Sequence, residues 1–305
     1  MRLGFNLPQI GPAASAEAMV RVAQRAEELG YDSVWVTDRV LYPIEPQTPY
    51  MGSPDGSLPE VYKIVFDPLE SLTYVAAHTS RIALGTSILD MPYYNPVMLA
   101  RRLTTLDVLS GGRLRVGLGQ GWSKDEFDAV GASMAGRGRR ADEFIGVLKA
   151  IWTTDPVEFN GKFFQVPKSI ILPKPVQKPH PPIYLAAFSD SGLKRTATIA
   201  NGWLPAGVPP AGLKPMIAGL KDIARQFGRD PAELEVVVRA NILVTEEPLG
   251  DPRFICTGTP EQIKADIAAL RELGVAEVHF DPSFSTDGTS LEGFLKTMEQ
   301  MKALS

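Results

Sequence analysis

The sequence predicts an α/β chain folded as a (β/α)8 barrel with insertions, and three observations carry that prediction. Eight short apolar segments alternate with segments of helical period, the arrangement that closes a parallel sheet on itself. Two stretches, EELGYDSVWV from Glu27 and RELGVAEVHF from Arg271, repeat one pattern of helix end, glycine stop and short strand. No strand end carries a dinucleotide fingerprint followed by a correctly placed acid, so the open doubly wound sheet ranks behind the barrel.

Leu3 to Asn6 forms the first strand, and Ser15 caps a helix in which Met19, Val22, Ala26 and Leu29 recur at helical spacing before Gly30 stops it. Ser33 to Val36 is a second strand, ending at Thr37, Asp38 and Arg39. From about 43 to 66 the composition turns to Pro, Gly, Ser and Tyr without a sustained period. Tyr50, Met51, Val61 and Tyr62 interrupt this loop, so it is expected to be a mobile lid carrying a substrate wall, with a dimer contact as the alternative. Asp67-Pro68 and Asn95-Pro96 pair an N-cap with a first-turn proline and open helices on either side of a third strand, Ile82 to Thr86.

The stretch SGGRLRVGLGQGWSKDEF, Ser110 to Phe127, compresses a helix stop, a strand with Leu114, Val116 and Leu118 alternating, a turn through Gly117, Gly119 and Gly121, and a helix start. Ser123 to Glu126 matches a capping box. A further helix is expected over about Arg139 to Trp152, and the proline-heavy, aperiodic segment 155–182 reads as an insertion. Ile183 to Ala187 is the fifth strand, Ser189 to Gly192 start a helix, and Trp203 and Leu204 mark a weak sixth strand. A helix from about Pro210 to Phe227 leads to Glu235–Val244, a β-branched run suited to a strand buried on both faces. Thr259 to Gln262 is a second capping box, Gly274 stops its helix, and Glu277 to Phe280 is the last strand. Residues 1–305 are read as a single barrel domain.

At 44% hydrophobic residues the chain fills a large core, and a formal charge of −4 without a long basic patch argues against nucleic acid or an anionic membrane as partner. Cys256 alone forms no internal disulfide or thiolate cage and fits a reducing compartment. No signal peptide is read and no apolar run reaches membrane-spanning length, so the expected location is cytoplasmic. His78, His180 and His279 stand far apart, so no metal site is expected.

A barrel gathers the residues after each strand at one face, which makes Asn6, Asp38, Arg39, Ser87, Gln120, Trp122, Ala187, Phe188, Ser189 and His279 candidates. The competing role for each is capping a neighbouring amide. GLGQG followed by Trp122 makes a poor phosphate fingerprint, and the amides of Ser189 to Gly192 are a better anion site. Arg137, Arg139 and Arg140 are expected to pair with Asp142 and Glu143 more readily than to hold a ligand. With no nucleophile elbow, metal cluster or acid pair legible, a bound redox cofactor would account for an enzyme.

The segments SVWVTD, LGTSILD, NPVMLAR, TLDVLSGGR, VGLGQGWSKDEF and PPIYLAA resemble the luciferase-like monooxygenase superfamily, and within it the actinobacterial oxidoreductases that use coenzyme F420. The resemblance covers nearly the whole chain. It implies a luciferase-like (β/α)8 barrel, a deazaflavin or flavin at the C-terminal ends of the strands, and a homodimer. By position it implies Asp38 at the ring edge, a non-prolyl cis peptide at Ser87 and Ile88 behind the ring, Gln120 and Gly121 beside it, and Ala186, Ala187, Phe188 and Ser189 on the phosphate side. Arg39 and Trp122 stand where better understood branches carry a histidine and a glutamate, so those acid and base roles do not transfer. The leading expectation is an F420-dependent oxidoreductase moving hydride between deazaflavin C5 and a small organic substrate. The alternatives are an FMN-dependent monooxygenase using O2 and a flavin-binding protein without turnover.

Overall fold

A computed structural model describes residues 1–53 and 55–305; Pro54, within the predicted 43–66 loop, lies outside the described residues. The strands are β1 (Arg2–Asn6), β2 (Ser33–Val36), β3 (Ala83–Thr86), β4 (Leu114–Gly119), β5 (Ile183–Leu185), β6 (Gly202–Trp203), β7 (Glu235–Asn241) and β8 (Glu277–Asp281). Every pairing between neighbours is parallel, and Leu84 opposite Leu114 and Gly85 opposite Arg115 join β3 to β4. With β1 also paired to β8, the eight strands close into a barrel and the open sheet is excluded.

The outer helices are α1 (Ala16–Glu28), α2 (Pro68–Ala76), α3 (Pro96–Leu109), α4 (Lys124–Ala129), α5 (Arg137–Thr153), α6 (Asp190–Ile199), α7 (Pro210–Gln226), α8 (Pro260–Glu272) and α9 (Leu291–Leu304). Ser15, Asp67, Asn95 and Thr259 cap their helices as expected, Thr259 within a complete capping box. No helix among the described residues is long and apolar enough to cross a membrane.

Two readings are corrected and two elements are added to them. Ser123 precedes α4 without a capping side-chain bond, because Glu126 is turned inward to Arg39 and the Val40 amide. Segment 155–182 holds an antiparallel hairpin, Val157–Asn160 against Gln165–Ser169, whose turn amides at Lys162, Phe163 and Phe164 donate to Glu143. The run Glu235–Val244 breaks after Asn241, and Leu243–Val244 pairs instead with Thr257–Gly258. The terminal helix α9 carries Phe294, Met298 and Met301 into the core and was not read from the sequence.

Successive side chains of a strand face opposite sides. Leu3, Phe5, Val34, Val36, Val278 and Phe280 therefore pack against the helices, while Arg2, Ser33, Trp35, Glu235, Glu277 and His279 turn into the barrel. At the bottom, Arg2 bridges Glu235 at 2.8 Å and Glu277 at 3.1 Å, and Arg115 also pairs with Glu277. Above this layer Trp35 stacks on His279 with ring centroids 4.7 Å apart.

Glycine makes room where strands crowd. A Cβ on Gly117 would lie 1.9 Å from the Thr86 carbonyl oxygen, a backbone atom fixed by the β3 pairing. Gly117→Ala is expected to cost about 3 kcal/mol in urea unfolding. Gly219→Ala, in α7 with open space around it, should be neutral or stabilising by up to ~1 kcal/mol. Equal effects would show that backbone crowding is not what Gly117 relieves.

Candidate active site

The C-terminal ends of β1, β3, β7 and β8 converge on one polar network. Asn6 donates to Asp281 Oδ2 at 3.0 Å and accepts from His279 Nδ1 at 2.8 Å. Arg239 donates to Asp281 Oδ2 at 2.5 Å and to the Ser87 carbonyl at 3.0 Å. All of these side chains are buried. Burial, with the nearby charge of Arg239, drives the His279 pKa well below its ordinary value and keeps the ring neutral. His279 is thus a core histidine under the mouth, sealed against Trp35, rather than a group open to a ligand.

The peptide between Ser87 and Ile88 is cis. Ile88 is half-buried against Trp35, Tyr184, Leu204 and Val237, an apolar floor across the barrel interior. Gly119 sits beneath it, where a Cβ would come within 1.7 Å of Ile88 Cδ1.

An acidic group borders this floor. Asp38 accepts from the Tyr94 hydroxyl at 2.7 Å, and Asp90, buried, accepts from the Gly121 amide at 2.7 Å. Burial pushes the Asp38 carboxyl up to about 6, outweighing the Tyr94 hydrogen bond, with the charges of Asp67 and Glu126 adding to the rise. Burial, then the charge of Asp38, pushes Asp90 up to about 7. Both carboxyls can therefore exchange a proton near neutrality.

Arg39 lies beside them. Its guanidinium pairs with Glu126 at 3.2 Å, with the two side chains 5% and 1% exposed. It lies over the Tyr62 ring at 5.1 Å and the Trp122 ring at 5.0 Å. Tyr50 packs on Trp122 and Tyr62, and Tyr62 on Phe284. The 43–66 loop thus supplies Tyr50 and Tyr62 to an aromatic roof, while Met51 is 95% exposed and contributes nothing to it. Gln47 and Thr48 tether the loop to Asp125 and Lys124 of α4.

The other expected site residues divide. Gly121 lies at the acidic group with φ +65, and Gln120 adjoins it, half-buried. Ala186 continues the sheet through its amide to Leu118, and the Ala187 carbonyl accepts from Trp203. Phe188 is exposed, and Ser189 caps α6 by accepting from Gly192, so that amide is already engaged.

The basic triplet does not pair as expected, because its acids are taken. Asp142 binds Arg195, and Glu143 holds the hairpin turn. Arg137 donates to the Gly121 carbonyl at 3.1 Å and Arg140 to the Ser133 carbonyl at 3.0 Å. Both line a cavity of about 250 Å³ with Tyr94, Ser133, Phe144 and Phe164. Among the described residues no cluster of three or more His, Cys, Asp or Glu is placed to hold a metal ion.

Sequence reasoning missed Asp90, Tyr94, Glu126, Arg239 and Asp281. A signal existed for two of them. Polar residues at every second position in β8, Glu277, His279 and Asp281, and on the same face of β7, Glu235 and Arg239 with Val237 between them, mark an inward-facing polar side.

Fold and mouth together define a parallel barrel whose strand ends enclose an apolar floor, raised carboxyls and an aromatic roof. The model for the luciferase-like monooxygenase family matches residues 1–249, and the chain belongs to that family. It is an enzyme of the oxidoreductase class.

An uncharacterized protein of Mycobacterium tuberculosis is 31% identical over 283 residues, covering 91% of this chain and 89% of its own. An F420-dependent glucose-6-phosphate dehydrogenase of Amycolatopsis mediterranei is 31% identical over 205 residues, 64% of this chain and 56% of its own. An FMNH2-dependent dimethylsulfone monooxygenase of Pseudomonas putida is 30% identical over 207 residues, 66% and 56%.

Among solved structures, monooxygenase RslO1 of Streptomyces bottropensis superposes with a TM-score of 0.79 at 23% identity, covering 99% of this chain and 98% of its own. The coenzyme F420-dependent tetrahydromethanopterin reductase of Methanopyrus kandleri gives 0.77 at 20%, covering 99% and 97%. These two likenesses carry the fold.

Proposed function

We propose that the chain is an F420-dependent oxidoreductase that moves hydride between the deazaflavin and a small organic substrate held under the 43–66 loop. The observation that supports it most is the apolar floor formed by Ile88 over the buried Trp35, Tyr184, Leu204 and Val237, together with the Asp38 carboxyl and the unpartnered, buried Thr37 hydroxyl at the end of β2. Those residues fit a planar heterocycle that is apolar on its face and polar at its edge. The absence of a side chain at Gly119 lets Ile88 lie into that floor. Ser87, Ile88, Asp38, Gln120 and Gly121 would hold the ring, and Ala186 to Ser189 the phosphate side. Bound there, the deazaflavin supplies a two-electron hydride carrier at C5.

The chain's own residues then have separable tasks. Asp38, raised to about 6 and hydrogen-bonded to Tyr94, holds or releases a proton at Oδ2. Arg39 carries donors and no acceptor, so its part is to orient groups that accept from it. Trp122 and the roof rings exclude water from the floor.

The Amycolatopsis relative supports F420, and the Pseudomonas relative supports the second reading, an FMN-dependent monooxygenase. Titration of the apoprotein with each cofactor, followed by fluorescence, separates them. F420 is expected to bind at least tenfold more tightly than FMN, and the reverse order gives the site to FMN.

A further inference from the structure

Two guanidiniums are buried under the aromatic roof, and neither is fully used. Arg39 spends Nη1 on Glu126, while its Nε and Nη2 have no partner. Those two N–H groups lie on one edge of the guanidinium plane and point the same way, the spacing that receives the two oxygens of a carboxylate. The Arg39 side chain is 5% exposed, and rings near Tyr62 and Trp122 limit how the plane can turn. Arg239 repeats the arrangement on the far side. Its Nη groups are taken by Ser87 and Asp281, its Nε is unpartnered, and it lies over Phe284 at 5.7 Å. The rings of Tyr62 and Phe284, 5.6 Å apart, bridge the two arginines.

Buried donors without acceptors are costly, so the two orphan donors on one edge of Arg39 imply an acceptor-rich guest. The parallel Nε–H and Nη2–H of Arg39 match the two oxygens of a carboxylate better than the single oxygen of a neutral carbonyl. Charge does not forbid an anion. Arg39 is balanced by Glu126 and Arg239 by Asp281, while the raised carboxyl of Asp90 is partly protonated near neutral pH and that of Asp38 to a smaller extent. The roof of Tyr50, Tyr62, Trp122 and Phe284 suits an apolar, preferably planar, body attached to the anion.

We infer that the substrate carries a carboxylate, received by the Nε and Nη2 edge of Arg39 beneath the aromatic roof, with an apolar body against Tyr62 and Trp122. This rests on the reading of the barrel mouth as the substrate site, and it names the substrate class that reading leaves open. Arg39 acts here as a binding and orienting residue; the bond that changes lies elsewhere on the substrate.

The test uses benzoate and its neutral counterpart benzamide, with affinities measured by calorimetry on the full chain with and without saturating F420. Benzoate is expected to bind at least tenfold more tightly than benzamide, with F420 present or absent. Arg39→Lys keeps the charge and loses the fork, and should weaken benzoate at least tenfold while leaving benzamide within about twofold. Arg39→Gln with Glu126→Gln removes both charges together, so no buried ion is left alone, and should abolish the preference for benzoate. Equal binding of the two probes by the unaltered protein overturns the inference, even if no variant folds. So does a benzoate preference that survives in the double variant. Mutual exclusion of benzoate and F420 also overturns it, by assigning the fork to the cofactor. Tight FMN binding with weak F420 binding would sink the cofactor reading alone and leave the benzoate comparison intact.

Discussion

Asp281→Ala is expected to destabilise the protein by about 3–5 kcal/mol, the largest single-residue effect argued from this structure. The carboxylate is fully buried and accepts from Asn6 Nδ2 at 3.0 Å, Arg239 Nη2 at 2.5 Å and the Ser283 amide at 3.0 Å. Removing it leaves the Arg239 cation inside the barrel without a counter-charge, and the penalty is that of an unpaired buried ion rather than of one lost bond. Replacing both partners, Arg239→Met with Asp281→Leu, removes the stranded charge and should recover at least half of the loss. Chemical denaturation of the two variants beside the unaltered protein decides the matter. A double variant no better than Asp281→Ala would mean that packing around these side chains, not their charge, sets the cost.

Asp90→Asn should stabilise the protein more at pH 8 than at pH 5, because it removes a loss of stability tied to the Asp90 carboxyl. A folded-state value of about 7 for Asp90 lies well above the ordinary carboxyl range near 4, so the folded chain binds the proton more tightly than the unfolded chain. The stability tied to that proton is complete below the unfolded value and is lost as pH climbs through about 7. Asp38, raised to about 6 and half-buried, acts in the same direction with a smaller share.

Glu27, Glu143 and Glu235 have lowered values and act only at acid pH, whereas His279 and His180, lowered by burial, add stability as pH rises through the ordinary histidine range; both stay in the variant, so the difference between the two proteins isolates Asp90. At pH 8 the asparagine variant should exceed the unaltered protein by on the order of 2–4 kcal/mol, and at pH 5 the two should agree within about 1 kcal/mol. The amide oxygen of asparagine can still accept from Gly121. Melting curves at both pH values check this; a parallel offset at both would show that the carboxyl proton is not responsible.

These two expectations share a cause. The barrel mouth concentrates charged and titratable groups where water is excluded, and the roof from the 43–66 loop completes that exclusion. Arg39 illustrates how the pieces depend on each other. It is held by Glu126 from α4, by Tyr62 from the loop and by Trp122 from the turn after β4. None of these is near it in sequence, and each would be an ordinary surface residue without the others.

The sequence by itself determined the barrel, because strand period, helix period and caps are local. Apolar alternation in Leu114, Val116 and Leu118, the caps at Ser15, Asp67, Asn95 and Thr259, and the glycine stops at Gly30 and Gly274 all act within a few residues. It also indicated which strand ends meet, since a closed parallel barrel leaves only one face for them.

Tertiary structure alone decided which polar groups there are paired and which are left over. Glu126 looked like half of a capping box, yet burial beside Arg39 offered the carboxylate a stronger partner than a helix amide exposed to water. Asp90 and Asp281 drew no reading from the sequence, because the raised value of one comes from burial by distant segments and the ion pair of the other from Arg239 on a neighbouring strand. Pairing and burial are set by contacts across the barrel, up to 275 residues apart in the case of Asn6 and Asp281, and no local pattern encodes them.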